Sequence, residues 1–123
     1  MRNNFKAWDK ERGDWTMNVV LSPEGVILHQ YANDITDTNQ DRYELVFPVG
    51  RKDARGKEIF EGDIIEATII EDSVETMGVV TYSEEDSAYG NKNEAGLTFL
   101  WRLTNIKIVG NVQEKPEFLK EGK

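Results

Sequence analysis

Apolar residues along the chain fall in short runs or alternate with polar ones, and turn-forming residues interrupt them every few positions. That pattern lacks the recurrence of amphipathic helices and predicts a mainly β protein. Strands are expected near Phe5–Trp8, Thr16–Leu21, Val26–Tyr31, Tyr43–Phe47, Asp63–Glu71, Gly78–Ser83, Leu97–Arg102 and Ile106–Val112. Ser22-Pro23-Glu24-Gly25 sets Pro and Gly between two apolar runs, so the second and third strands should form a hairpin. Ala32–Arg42 and Glu84–Ala95 are polar and read as loops, the second long enough to be a mobile or functional element. The tail from Pro116 opens with a proline suited to a first helical position and suggests one helical turn. The elements divide into an N-terminal β meander (1–44) and a compact C-terminal barrel with a short tail (45–123).

The densest punctuation is KDARGKEIFEGDIIEA, residues 52–67. Asp53 early and Gly56 late mark a tight turn whose last residue takes positive φ. Ile59 and Phe60 follow, then a second turn at Glu61-Gly62-Asp63, where Asp63 is suited to accept backbone N–H bonds. An apolar pair, a Glu-Gly-Asp corner and a β-branched run resemble the entry to an SH3-like barrel, where the chain bends before its first long strand. A phosphate cradle is the competing reading. Gly56-Lys57 lacks the further glycines and the Ser/Thr of a phosphate loop, and no helix follows to supply an N-terminal dipole. The stretch therefore reads as a structural corner.

Composition narrows the function classes. The chain has 123 residues, 38% hydrophobic and 31% charged, which suits one small polar domain or a domain with a modest extension. It has no cysteine, so neither a disulfide framework nor a zinc–thiolate site is available, and no run is long enough to span a bilayer. The start, MRNNFKAWDKERGDW, has no apolar signal-like core, so a cytoplasmic location is expected. The net charge is −8 and unevenly placed: residues 1–57 carry nine basic and nine acidic side chains, residues 58–123 six and fourteen. An acidic surface repels phosphate backbones, which argues against nucleic acid as a partner.

Few residues offer chemistry. His29, the sole histidine, lies in an apolar run without a His or Cys companion for a metal and without a nucleophile to activate. Glu84, Glu85 and Asp86 match no calcium-loop spacing and read as a solvated face or a contact surface. Glu58, Glu61, Asp63 and Glu66 crowd the barrel entry but give no sign of a cleft. Arg51, Lys52, Arg55 and Lys57 form the local exception to the acidic balance. They suit a salt-dependent contact with the acidic half of another protein or subunit more than with a phosphate. Trp8 and Trp101 sit in runs that look buried and suit the core; Trp15 follows a polar turn and suits an exposed interface anchor. No catalytic set, cofactor or metal site is expected.

Three ordered blocks carry a family resemblance. GRKDARGKEIFEGDIIE resembles the K-D-x-x-G-K-E-I-Y/F-E-G-D-I/V block of the YopX-like phage and prophage proteins. FKAWDKERGDW is similar to that family's opening, and IVGNVQEKPEFL to its close. The match departs in residues 12–45 and 71–98, and Leu45–Gly50 replaces the family's usual L-M-Q-Y/F-T-G-L. The resemblance implies a mainly β protein with an SH3-like roll, a phage or prophage origin and homo-oligomers, and implies no particular activity. The expected function is a non-enzymatic phage accessory protein that binds proteins, through self-assembly and through host or phage partners. Its alternatives are an acidic mimic of DNA or a nucleic-acid-associated phage protein.

Overall fold

The computed structural model describes residues 5–16, 19–21, 27–31, 34–37 and 42–117. It divides into two compact units, Met1–Phe47 and Pro48–Lys123. The expected 44/45 division falls inside a strand of the first unit. Both units are mainly β.

In the N-terminal unit, β1 (Lys6–Asp9) lies between β2 (Asp14–Thr16) and β6 (Tyr43–Val46), both antiparallel to it. A second sheet has β4 (Ile27–Tyr31) between β3 (Val19–Leu21) and β5 (Asp34–Asp37). The hairpin expected from the Pro-Gly turn forms, with Val19 opposite His29, although Ser22–Gly25 itself lies outside the described residues. The polar stretch after Ala32 contains β5, where a loop was expected: Asp34-Ile35-Thr36-Asp37 sets two β-branched residues between aspartates and finds the edge of β4 to pair with. Alternation along β1 buries Ala7 and Asp9, and Ala7 packs with Val19 and Tyr43, flanked by Phe5 and Leu45. Asp9 is 2% exposed and ionised at an unusual depth because its partners are complete. Arg42 grips it with two parallel bonds, Nε to Oδ1 at 3.0 Å and Nη2 to Oδ2 at 2.9 Å, and the N–H groups of Glu11 and Arg12 donate to Oδ1.

The C-terminal unit holds a five-stranded antiparallel sheet in the order β12-β11-β10-β9-β13. Its strands are β9 (Asp63–Ile69), β10 (Glu75–Ser83), β11 (Ala88–Asn93), β12 (Gly96–Phe99) and β13 (Leu103–Asn111). A separate ribbon pairs β7 (Pro48–Lys52) with β8 (Glu58–Phe60). The described sheets are open, each with two edges, and their pairing does not close a barrel. One sheet face covers the main core: Ile65, Ala67, Val80, Leu103 and Ile106 pack with Ile59 and Leu100. On the opposite face Ile64 and Val79 pack with Val112, which explains why β9 begins with two consecutive buried isoleucines.

Here too a stretch expected to be a loop is partly strand. Glu84–Ala95 contains β11, which carries few apolar residues but joins Val79–Ser83 to β12 through a full ladder. Its amide side chains explain the misreading. Asn91 is fully buried in place of an apolar residue, and its Nδ2 donates to Thr76 Oγ1 at 3.2 Å. Its Oδ1 receives no N–H or O–H donor and occupies the notch that Gly78 leaves open. The last turn, from Pro116, lies largely outside the described residues. Among the described residues no helix is long and apolar enough to cross a membrane.

Two outcomes follow. A Cβ on Gly78 would sit 2.4 Å from both Asn91 Oδ1 and Lys92 O, a backbone atom that cannot swing away. Gly78→Ala should therefore lower stability by about 1–3 kcal/mol in a denaturant titration, and a melting curve unchanged from wild type would refute the tight approach. The Arg42 guanidinium, aided by two backbone N–H groups, holds the Asp9 carboxyl down to about 2 against the pull of burial. A depressed folded value means the stabilisation is complete above the ordinary carboxylate range. It is lost as pH falls from about 4 through about 2. Asp9→Asn should be less stable at neutral pH and should lose that part of the acid dependence, read by chemical denaturation from pH 2 to 7.

Candidate functional site

The turn between β7 and β8 is built around one carboxylate. Asp53 Oδ1 accepts the N–H groups of Arg55 and Lys57, each at 2.9 Å, and Oδ2 accepts the N–H of Ile108 at 3.2 Å. The Asp53 N–H donates to Lys57 O at 2.7 Å, and Gly56, with φ 85°, donates to Asp53 O and closes the loop. Burial alone would push this carboxyl's pKa up. The Lys57, Ile108 and Arg55 N–H donors, with the Arg55 guanidinium, outweigh it and leave the pKa below its ordinary value.

These contacts reach well beyond the turn. Ala54 N–H donates to Ile106 O at 2.7 Å, and Arg55 Nη2 donates to Ile108 O at 2.7 Å. Ile106 and Ile108 lie on β13, an edge of the five-stranded sheet, so the turn takes up backbone groups that this edge would otherwise present to a passing strand. Arg51 acts one step earlier. Its guanidinium donates through Nη1 to Leu100 O and through Nη2 to Leu103 O at 2.8 Å, satisfying carbonyls at both ends of the 3₁₀ turn Leu100–Arg102.

Among the four basic residues, Arg51 donates to the carbonyls of Leu100 and Leu103 and is half-buried, and Arg55 donates through one nitrogen to Ile108. Lys52, Arg55 and Lys57 are exposed on the turn. The second corner behaves as expected: Asp63 Oδ2 accepts the Phe60 N–H at 2.8 Å, and Gly62 has φ 83°. Asn111 adds a partner that spacing alone does not reveal. Its Nδ2 donates to Asp63 Oδ1 at 3.0 Å, and its Oδ1 accepts the Gln113 N–H at 2.8 Å, locking the close of the chain to the E-G-D corner.

The remaining candidates fall at separate places. Glu84, Glu85 and Asp86 cap the β10–β11 hairpin, where Asp86 and Ser83 bond each other and the two glutamates face solvent. Trp15 is half-buried, opposite Trp8 on the neighbouring strand with ring centroids 5.0 Å apart in an edge-to-face pair, and the Lys6 ammonium lies 4.8 Å from its centroid. Trp8 is thus on the outer face of β1 and outside the core. Trp101 departs further from expectation: it is 69% exposed and stacks on Phe99 at 5.7 Å, because the 3₁₀ turn buries Leu100 and turns its neighbour outward. The side chain of His29 lies outside the described residues.

An open hollow of about 430 Å³ lies on the sheet over Glu66, Thr68, Glu75, Met77, Asn105 and Lys107. Glu66 pairs across the ladders with Met77 on one side and Lys107 on the other. Asn105, at φ 52°, sits in the bulge that interrupts β13 there. Carboxylates of Glu66 and Glu75 and the ammonium of Lys107 share the hollow with the hydroxyls of Thr68 and Thr76, and no histidine lines it. Among the described residues no group of three or more His, Asp or Glu side chains is placed to hold a metal ion.

The basic turn, the E-G-D corner and the closing Asn111 are thus one interlocked set, and the model of one protein family, described as "YopX protein", matches residues 4–120. The chain belongs to the YopX family. Two solved structures share its fold. YopX from Bacillus subtilis is similar with a TM-score of 0.62 and 19% identity, over 96% of this chain and 98% of that one. EF1440 from Enterococcus faecalis is similar with a TM-score of 0.55 and 19% identity, over 94% and 96%. Among curated proteins, none matches the sequence. For this YopX-family chain the K-D-x-x-G-K pattern has a physical reason: Asp53 accepts the bonds, Gly56 permits the positive φ, and the turn lies on β13.

Asp53→Ala would remove the acceptor of the N–H groups of Arg55, Lys57 and Ile108, of which the first two belong to exposed residues. It should cost about 1–3 kcal/mol, the penalty of an unmet donor held from water. Hydrogen exchange at Ile108 should accelerate ahead of the sheet centre, whereas Lys57→Ala should leave both readouts near wild type.

Proposed function

We propose that this YopX-family protein is a non-enzymatic binding module that assembles with itself and docks host or phage proteins. On this reading it is phage- or prophage-encoded and acts in the cytoplasm of a bacterial host. The observation that carries the reading is the stacked pair of Phe99 and Trp101, with Trp101 69% exposed beside the sheet edge β12. Tryptophan is costly to leave in water and is enriched among residues that dominate interface energies. Ile70 and Val74, at the β9–β10 turn, are also more than half exposed. Ile70 N–H donates to Arg102 O at 2.9 Å, which ties that turn to the residue after Trp101. The family match supports the phage setting through the sequence blocks given above.

Between partners, protein is favoured over nucleic acid by charge. The acidic residues beyond position 57 dominate a chain of net charge −8, and Arg51 gives both its terminal nitrogens to carbonyls of its own unit. The DNA-mimic alternative has less support, because exposed Lys52, Arg55 and Lys57 lie in the same unit as the acidic residues.

Light scattering after size-exclusion chromatography tests the reading. The wild type should elute as a species heavier than its 14.1 kDa monomer at tens of micromolar. Trp101→Glu should shift it toward monomer while changing stability by no more than about 0.5 kcal/mol, as expected of an exposed site. A wild type that stays monomeric, and that retains no protein from nuclease-treated host lysate, would overturn the proposal.

A further inference from the structure

The five-stranded sheet has two edges, and the fold treats them differently. At β13 two register shifts break the ladder, at Thr104/Lys107 and at Ile108/Gly110, and Asp53, Ala54 and Arg55 occupy the outward groups of Ile106 and Ile108. Bulges, a lysine and a covering turn are devices that keep an edge from pairing with another chain. β12 has none of them. Its ladder to β11 runs without a shift through Gly90↔Phe99, Asn91↔Thr98, Lys92↔Leu97 and Asn93↔Gly96, and its residues include no charge and no proline.

The register also fixes which backbone groups face outward. Asn93 and Gly96 close a two-residue turn, so they exchange hydrogen bonds, and the pattern alternates from there. Gly96 and Thr98 therefore bond to β11, while the N–H and C=O of Leu97 and Phe99 point away from the sheet.

We infer that β12 is a self-pairing edge: a second copy of this chain adds its own β12 antiparallel to the first, about a two-fold axis at Thr98, joining two sheets into one. This deepens the self-assembly reading above and rests on it. Three features select a second copy as the occupant. The outward groups at Leu97 and Phe99 lie symmetrically about Thr98, so Leu97 of one copy exchanges bonds with Phe99 of the other and the converse, as an isologous contact requires. Antiparallel pairing brings the Glu94 end of one edge to the Arg102 end of the other, where Arg102 gives Nε to Glu71 of its own copy, on either side of an uncharged centre from Ala95 to Trp101. The same axis sets Phe99 of each copy across from Leu97 of the other, so apolar side chains meet at the centre of the seam, next to the exposed Trp101 of each copy.

Thr98 on the axis makes the inference testable. Residues facing each other in a non-hydrogen-bonded pair have Cα atoms about 4.5 Å apart, within the range of a disulfide. The chain has no cysteine of its own, so a single introduced thiol gives an unambiguous signal. Thr98→Cys should form a covalent dimer under mild oxidation, and Glu85→Cys, on the exposed β10–β11 turn, should not. Thr98→Arg places two like charges across the axis and should lower the dimer fraction at least tenfold while circular dichroism keeps its β signature. An assembled wild type whose Thr98→Cys variant does not cross-link beyond Glu85→Cys, and whose Thr98→Arg variant stays assembled, overturns the β12 interface and leaves self-assembly standing elsewhere. A monomeric wild type overturns both.

Discussion

A carboxylate withdrawn from water must be given donors in its place, and in this protein the carboxylate of Asp53 organises what surrounds it. Its oxygens gather two N–H groups from the turn that follows it and one from β13, more than fifty residues away in sequence. Charge-assisted bonds of this kind are stronger than neutral ones, and losing them would unfasten the turn from β13. The turn is thereby set along the sheet, and with it Ala54 and Arg55, which take the outward groups of Ile106 and Ile108. β8 then follows directly, delivering Ile59 to the middle of the core at 0% exposure.

The same solution recurs in the other unit. Asp9 is buried at the end of β1, accepts two N–H groups from the turn that follows and is closed by the Arg42 fork. In both places a short Asp-led turn is stiffened by its own side chain while an arginine supplies the long-range tie. A polar chain with a small core gains from this arrangement, because hydrogen bonds with charged partners define geometry where few apolar residues are available. Asp63 and Asn111 make a third instance, pairing the start of β9 with the end of β13. Against that background the unadorned edge of β12 and the exposed Trp101 stand apart, and they give the functional reading its direction.

Much of this was legible in the residues. The positive φ of Gly56 and Gly62, the accepting role of Asp63 and the hairpin joining β3 and β4 follow from turn chemistry that acts over a few residues. The polar strands were not legible. β5 and β11 carry too few apolar side chains to show a period, and they exist because a neighbouring strand offers a ladder. Asn91 is buried because Gly78 leaves it a notch from the adjacent strand, a relation that no local pattern encodes. For a related reason, sequence shows four basic residues within seven positions, but only folding reveals that Arg51 and Arg55 find carbonyls within reach.

By itself, then, the sequence determined the β class, the positions of the sharp turns, the acidic balance and the family, since each depends on residue type and short spacing. Tertiary structure alone decided which carboxylate held which edge, that Leu100 turned inward and Trp101 outward, and that β13 was covered while β12 remained open. The division has one physical cause. Turn preferences and net charge are properties of neighbouring residues, whereas burial and hydrogen-bond satisfaction belong to groups that meet only when distant segments are brought together.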